Sequence, residues 1–236
     1  MADLEARVDR RRRSKASLAD LAYQEIKDAI VHAKMRPGDY LGEEMLARAL
    51  EMSRTPVREA LKRLASENLV EITPKGAFVK EVSPQDIREI YELREVLECL
   101  ALQSAIRNIT PEEIDQLESR GLALKEGLKA GRPIDWRAVS KWDNDLHVLI
   151  ISKCANSYLK QFMAVLNQHI LRYQLLAAQA LSNPEDTIGQ HLEMIALLRQ
   201  GDLERLTAAL RTHIQKARAL LLGDGLRRMG EELPPR

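Results

Sequence analysis

Along the first eighty positions apolar residues recur every three to four places and then every two, which predicts a few helices closed by a hairpin. Leu18, Leu21, Ile26, Ile30 and Val31 outline a first helix, stopped by the turn residues Pro37-Gly38-Asp39. Met45, Leu46, Ala49 and Leu50 mark a short second helix from Glu43, with Glu43 and Glu44 at its positive end. Ser53 is placed as the N-cap of a third helix, whose Pro56 falls in a first turn where no N–H is needed. That helix is expected to run to Glu67. Asn68 then stands where a left-handed C-cap is wanted, and residues 69–72 and 77–82 read as two strands around Thr73-Pro74-Lys75-Gly76.

From Ser83 onward the period is helical throughout. Ser83-Pro84 with Asp86, and Thr110-Pro111-Glu112-Glu113, are helix starts. Breaks at Gly131-Arg132-Pro133, Asn156-Ser157, Asn183-Pro184 and Gly201-Asp202 cut residues 84–222 into six helices. Stripes such as Val139, Trp142, Leu146, Leu149 and Ile150 predict that these helices pack as a bundle. The expected plan is a basic arm over 1–16, a winged helix-turn-helix over 17–82, an all-helical domain over 83–222 and a tail over 223–236. The fold class is therefore mainly α, a winged helix-turn-helix followed by an all-α bundle of six or seven helices.

Composition narrows the function. With 236 residues, 45% hydrophobic and only 4% aromatic, the chain suits helices and excludes disorder along its whole length. The net charge of +1 excludes a general nucleic-acid coat. Even residues 1–80 hold 16 Lys and Arg against 13 Asp and Glu, so any DNA affinity must come from placement. No stretch approaches a membrane span, and the basic first fifteen residues lack an apolar signal core, so a cytoplasmic location without a membrane partner is expected. Cys99 and Cys154 lie far apart outside any Cys-x-x-Cys pattern and read as core residues.

In the third helix Val57, Ala60, Leu61 and Leu64 share one face, which turns Arg54, Thr55, Arg58 and Lys62 to the other. Alone, such a face is an ordinary solvated surface. On the second helix of a helix-turn-helix it enters a major groove, where arginine bonds guanine bidentately and threonine meets a phosphate or a thymine methyl. Lys75 and Gly76 at the hairpin tip suit a wing, glycine permitting close backbone approach and lysine neutralising phosphate.

A second constellation lies in the bundle. Asp143 and His147 are four apart and stack on the face of Trp142, Leu146 and Ile150, whereas Asp145 points away. His191 lies between Ile188 and Ile195, and His213 among Leu206, Leu210 and Ile214. Three imidazoles and a carboxylate thus aim inward and need partners. One divalent transition metal, zinc, nickel, iron or manganese, satisfies all four; four separately hydrogen-bonded core residues are the other reading. His169 shares a stripe with Phe162, Val165, Leu166 and Tyr173 and reads as a core or pocket-lining histidine, and His32 as a surface residue.

Residues 18–82, above all Ser53-Arg54-Thr55-Pro56-Val57-Arg58-Glu59-Ala60-Leu61, Arg36-Pro37-Gly38-Asp39-Tyr40-Leu41 and Gly76, resemble the winged helix-turn-helix of GntR-type transcriptional regulators. The resemblance implies operator contacts at the residues matching Arg54, Thr55 and Arg58 and minor-groove approach at Gly76. Asn68 departs from the family's usual glycine. Residues 84–222 resemble the FCD effector domain, whose metal-binding members carry an Asp-x-x-x-His pair and two later histidines, matched by Asp143, His147, His191 and His213. The resemblance implies that the metal's open positions take a carboxylate of a small organic acid without chemistry. Arg94 matches an arginine turned toward that effector, although an intrahelical pair with Glu98 or Glu95 explains it equally. Together the two resemblances imply a homodimer on palindromic double-stranded operator DNA, a repressor released by its effector, and not an enzyme. The rival functions are a constitutive dimeric DNA-binding protein with a structural polar cluster, and a metal-dependent hydrolase, for which no inward Glu base is evident.

Overall fold

The computed structural model describes residues 18–133, 135–177 and 184–225, and the chain divides into two compact units, Met1–Val82 and Ser83–Arg236. The basic arm expected over 1–16 and the tail beyond residue 225 lie outside the described residues.

In the first unit α1, over residues 18–31, is followed by α2 (Glu43–Ala49), α3 (Arg54–Ser66), β1 (Val70–Thr73) and β2 (Gly76–Val79). The strands pair antiparallel, Val70 opposite Val79 and Thr73 opposite Gly76. The buried face of α1 is Ala19, Ala22, Tyr23, Ile26, Ile30 and Val31, whereas Leu18 and Leu21, which also outline the helix in the sequence, are exposed. A polar clamp to α3 sets that rotation. The Tyr23 hydroxyl donates to Glu67 (2.7 Å), Lys27 pairs with Glu67 (3.1 Å), and the Arg63 guanidinium lies over the Tyr23 ring at 4.0 Å. Met45 of α2 is likewise outside the core, where Leu46 and Ala47 sit. Ser53 occupies the N-cap of α3 in extended conformation, but its side chain makes no capping bond; buried Pro56 and Val57 anchor that end instead. Asn68 adopts φ 58°, the left-handed geometry its position requires.

The second unit contains α4 (Pro84–Ala105), α5 (Pro111–Lys129), α6 (Trp136–Lys153), α7 (Ser157–Leu176), α8 (Pro184–Gln200) and α9 (Leu203–Leu220), ending in a π turn, Leu221–Gly225. Ser83 with Asp86 and Thr110 with Glu113 close complete capping boxes, so each helix begins where side chains satisfy otherwise orphaned N–H groups. Helix α4 packs against α6, α7 and α9, α5 against α6 and α8, and α8 against α6 and α9. Trp142 is buried between α5 and α6, its Nε1 donating to the Leu117 carbonyl at 2.8 Å, and Gly121 of α5 makes room for its ring. On α7 Leu166, His169 and Tyr173 are buried, but Phe162 and Val165 face outward, which corrects the expected stripe. Among the described residues no helix is long and apolar enough to cross a membrane.

Candidate metal centre and nucleic-acid interface

Helices α6, α8 and α9 bring Asp143, His147, His191 and His213 together, all buried, with one ligand atom from each lying within 4.8 Å of the others. His191 Nε2 stands 3.2 Å and His213 Nε2 3.8 Å from Asp143 Oδ1. The imidazoles of His191 and His213 meet edge to face at 4.5 Å between centroids, and Trp142 backs His191 at 5.3 Å.

Each histidine has an acceptor on its other nitrogen. His147 Nδ1 faces Glu98 Oε2 at 2.5 Å, His191 Nδ1 the Thr187 carbonyl at 3.0 Å, and His213 Nδ1 the Gln190 Oε1 at 3.2 Å. A carboxylate and a backbone carbonyl only accept, so His147 and His191 donate from Nδ1, and in the neutral ring each presents a bare lone pair at Nε2. Those two Nε2 atoms have no hydrogen-bond partner among the described residues. Lone pairs facing one another and a carboxylate repel, which is the wrong arrangement for four hydrogen-bonded core residues and a fitting one for a cation. Donors about 2.1 Å from an ion lie within roughly 4.2 Å of each other, close to the spacing present. Burial and the neighbouring imidazoles hold His213 well below the ordinary histidine range, and burial lowers His191 despite Asp143, so both stay neutral and ready to ligate.

Glu98, buried on α4, was outside the expected site. The expectation that no glutamate faces the cluster is corrected, since its second oxygen takes His147 while its first takes Arg94 Nε at 2.7 Å. Burial pushes the Glu98 carboxyl up, but His147 and Arg94 outweigh it and hold it at about 2. A signal existed: Ile87, Tyr91, Arg94, Glu98 and Leu102 form one buried stripe, so the charged pair interrupts an apolar face. Arg94 therefore makes the intrahelical pair, with Glu98; Glu95 instead meets Arg211 and Gln215, both at 3.1 Å. Gln174 of α7 also escaped notice; its Nε2 donates to Asp143 Oδ2 at 3.2 Å and so orients that carboxylate.

A cavity of about 120 Å³ opens onto Asp143 and His213, walled by Val139, Ala217, Leu220 and Leu221 and edged by Ser140 and Lys216. Its size approaches the roughly 150 Å³ that holds a benzene molecule, so it suits a ligand of similar size.

In the first unit Val57, Ala60, Leu61 and Leu64 are buried, and Arg54, Thr55, Arg58, Lys62 and Lys75 are exposed. Two of the arginines are held by the acids that open α2. Arg58 donates Nε to Glu43 Oε1 (2.8 Å) and Nη2 to Oε2 (2.7 Å), and Arg54 pairs with Glu44 at 2.7 Å. The bond to Arg58 holds the Glu43 carboxyl below its usual range. Gly76 sits at φ +125°, and a Cβ there would lie 2.6 Å from the Tyr40 ring. The left-handed backbone, with Tyr40 closing over it, thus calls for glycine at the wing tip before any DNA does.

Comparison with known proteins fits both units. The FCD domain family matches residues 89–216, and the gntR family of bacterial regulatory proteins matches residues 18–79. The chain belongs to the GntR family, with an FCD domain. This regulator is 30% identical over 184 residues to the Nta operon transcriptional regulator of Aminobacter aminovorans, covering 77% of this chain and 83% of that one. It is 26% identical over 197 residues to the HTH-type transcriptional repressor RspR of Escherichia coli, covering 82% and 84% of the two chains. The E. coli McbR/YncC structure superposes with a TM-score of 0.70 at 26% identity, covering 86% of this regulator and 96% of that chain. These relatives are transcription regulators and not enzymes. GntR regulators bind DNA and small-molecule effectors, typically as dimers.

Proposed function

We propose that this GntR regulator is a cytoplasmic repressor whose hold on a palindromic operator is loosened by a small organic acid bound beside a divalent transition metal. The observation that carries the reading is the pair of unpartnered imidazole nitrogens, His147 and His191 Nε2, gathered with Asp143 and His213, the two members of the cluster that border a small, largely apolar cavity. Asp143, His147, His191 and His213 would hold one ion of zinc, nickel, iron or manganese per chain, and the ion would supply a Lewis-acidic anchor for a carboxylate. The chain's own residues do the rest: Asp143 and His213 border both the ion's place and the cavity, and the apolar walls select the body of the acid. Arg54, Thr55, Arg58 and Lys62 on α3 read the major groove, with Lys75 and Gly76 at the wing.

Dimerisation uses exposed apolar stripes on adjacent helices, Leu93, Val96 and Leu100 on α4 and Tyr158, Phe162 and Val165 on α7. Each stripe follows helical spacing, as a surface meeting a second copy of the same helices does. Two copies place their readers on half-sites about one helical turn apart. The effector acts by favouring one arrangement of the dimer over another.

The test begins with elemental analysis of chelator-free protein, followed by operator selection from random duplex DNA. We expect about one divalent ion per chain and a palindromic consensus whose affinity drops at least tenfold when one member of an organic-acid panel is added. Equal affinity across every metal and acid would leave a constitutive DNA-binding protein instead.

A further inference from the structure

Arg94 is 1% exposed and Glu98 fully buried, and together with His147 they form a continuous chain. Arg94 Nε bonds Glu98 Oε1 at 2.7 Å, and Glu98 Oε2 faces His147 Nδ1 at 2.5 Å. The two oxygens of one carboxylate are thereby fixed at both ends, so Glu98 cannot rotate without breaking a bond. Fixing Glu98 fixes the His147 ring plane and keeps its proton on Nδ1, which leaves Nε2 bare toward Asp143, His191 and His213. Arg94 is not among the residues that border the cavity. Its guanidinium packs instead over the Tyr91 ring, 5.4 Å from the centroid.

We infer that Arg94 is a positioning residue of the metal centre, acting through Glu98 on His147, and not a contact of the effector. This rests on the metal reading of the cluster. It also explains why a charged pair is buried inside an otherwise apolar stripe: a carboxylate that orients a metal-binding histidine needs a partner for its remaining oxygen, and a guanidinium four residues earlier on the same helix supplies one. The effector reading of Arg94 needs the guanidinium at the cavity; here Nε is committed to Glu98, and Arg94, whose Nη1 is buried without a hydrogen-bond partner among the described residues, does not border the cavity although Tyr91 does.

The experiment is a thermodynamic cycle on the full-length protein with zinc as the probe, its affinity measured by competition against a chelator of known strength. Wild type, Arg94→Met, Glu98→Gln and the double variant are compared, with thermal midpoints of the metal-free forms recorded separately. Glu98→Gln places an NH2 group opposite Nδ1, so His147 can turn its proton to Nε2, and zinc affinity should fall about 10- to 100-fold. Arg94→Met should lower zinc affinity about tenfold in the wild-type background and less than twofold in the Glu98→Gln background, because its effect passes through Glu98. Arg94→Lys should recover part of the loss, and it takes the place of Arg94→Met if that variant does not fold. Zinc affinity unchanged by loss of Arg94, or lowered equally in both backgrounds, overturns the relay while leaving the metal centre intact. Failure of the wild type to bind zinc, nickel, iron or manganese overturns the metal centre and the relay together.

Discussion

A single methyl group added to α5 tests the packing that supports the candidate metal centre. A Cβ on Gly121 would lie 2.2 Å from Trp142 Cζ2 and 2.9 Å from Cε2 and Cη2, well inside ordinary contact. Trp142 has nowhere to retreat: it is 1% exposed, bonded through Nε1 to Leu117 and backed by His191. Overpacking of this kind costs about 1–3 kcal/mol. If the ring swings away and leaves its N–H buried without a partner, about 1–3 kcal/mol more is lost. Against this, alanine favours the helix over glycine by about 0.8–1 kcal/mol. The net expectation for Gly121→Ala is destabilisation by about 0–2 kcal/mol if the Trp142 bond survives and about 1–5 kcal/mol if it is lost. Gly189→Ala in α8 is the control, since a Cβ there meets nothing within 4 Å, and helix propensity alone should stabilise it by about 0.5–1 kcal/mol. Both tryptophans, Trp136 and Trp142, lie in α6, so urea unfolding followed by tryptophan fluorescence reports on the second unit alone. Because the displaced ring presses on His191, zinc retention should also fall in Gly121→Ala and not in Gly189→Ala. A Gly121→Ala protein as stable as Gly189→Ala would show that Trp142 does not fill the space assigned to it.

Three further outcomes are expected. Glu43 engages the Nε side of Arg58 and leaves the outer edge of the fork for a base, so Glu43→Gln should raise affinity for random DNA while lowering preference for the operator. Arg58→Ala should cut that preference about five- to hundredfold, and a parallel rise on operator and random DNA in Glu43→Gln would refute the orienting role. In metal-stripped protein His191 and His213 have folded pKa values below the unfolded value near 6.5, so the unfolded chain takes up protons first. Stability of the second unit should therefore be full above about pH 6.5 and decline as pH falls toward the depressed folded values, a window in which Glu98, at about 2, adds nothing. A urea midpoint that stays flat or rises from pH 7.5 to 5.5 would contradict this, and zinc should oppose the decline at each pH where it binds. Finally, Val96→Glu or Phe162→Glu should convert a dimer to monomer in sedimentation, and two unaffected dimers would move the interface elsewhere.

What could be read from the sequence followed from local rules. Ser83, Thr110 and Asn68 announce themselves because capping and left-handed geometry depend on a few adjacent residues. Asp143 and His147 could be paired by spacing, and His191 and His213 by their place on apolar stripes. Other features depend on distant partners. The clamp of Tyr23 and Lys27 on Glu67, with Arg63 over the Tyr23 ring, sets α1 in a rotation that leaves Leu18 and Leu21 outside. Glu98 looks like half of a surface ion pair with Arg94 until His147, far along the chain, arrives against it. Phe162 and Val165 carry the same apolar signal whether a helix meets its own bundle or another molecule, so periodicity cannot say which.

The turn before α2 and the wing form one piece. Gly38 N–H donates to the Val79 carbonyl, Val79 N–H to the Asp39 carbonyl, and Leu41 N–H to the Ala77 carbonyl, while Tyr40 bridges to Phe78 and closes over Gly76. The segment after α1 therefore behaves as a third, irregular strand and ties the wing tip to the residues that lead into the helix-turn-helix. On the proposed DNA reading, the gap between the groove that α3 would read and the one that the wing would reach is fixed like the opening of a locked caliper. An operator in which one base pair is inserted between those two contacts should lose the wing's whole contribution at once, because no hinge is left to follow the shifted groove.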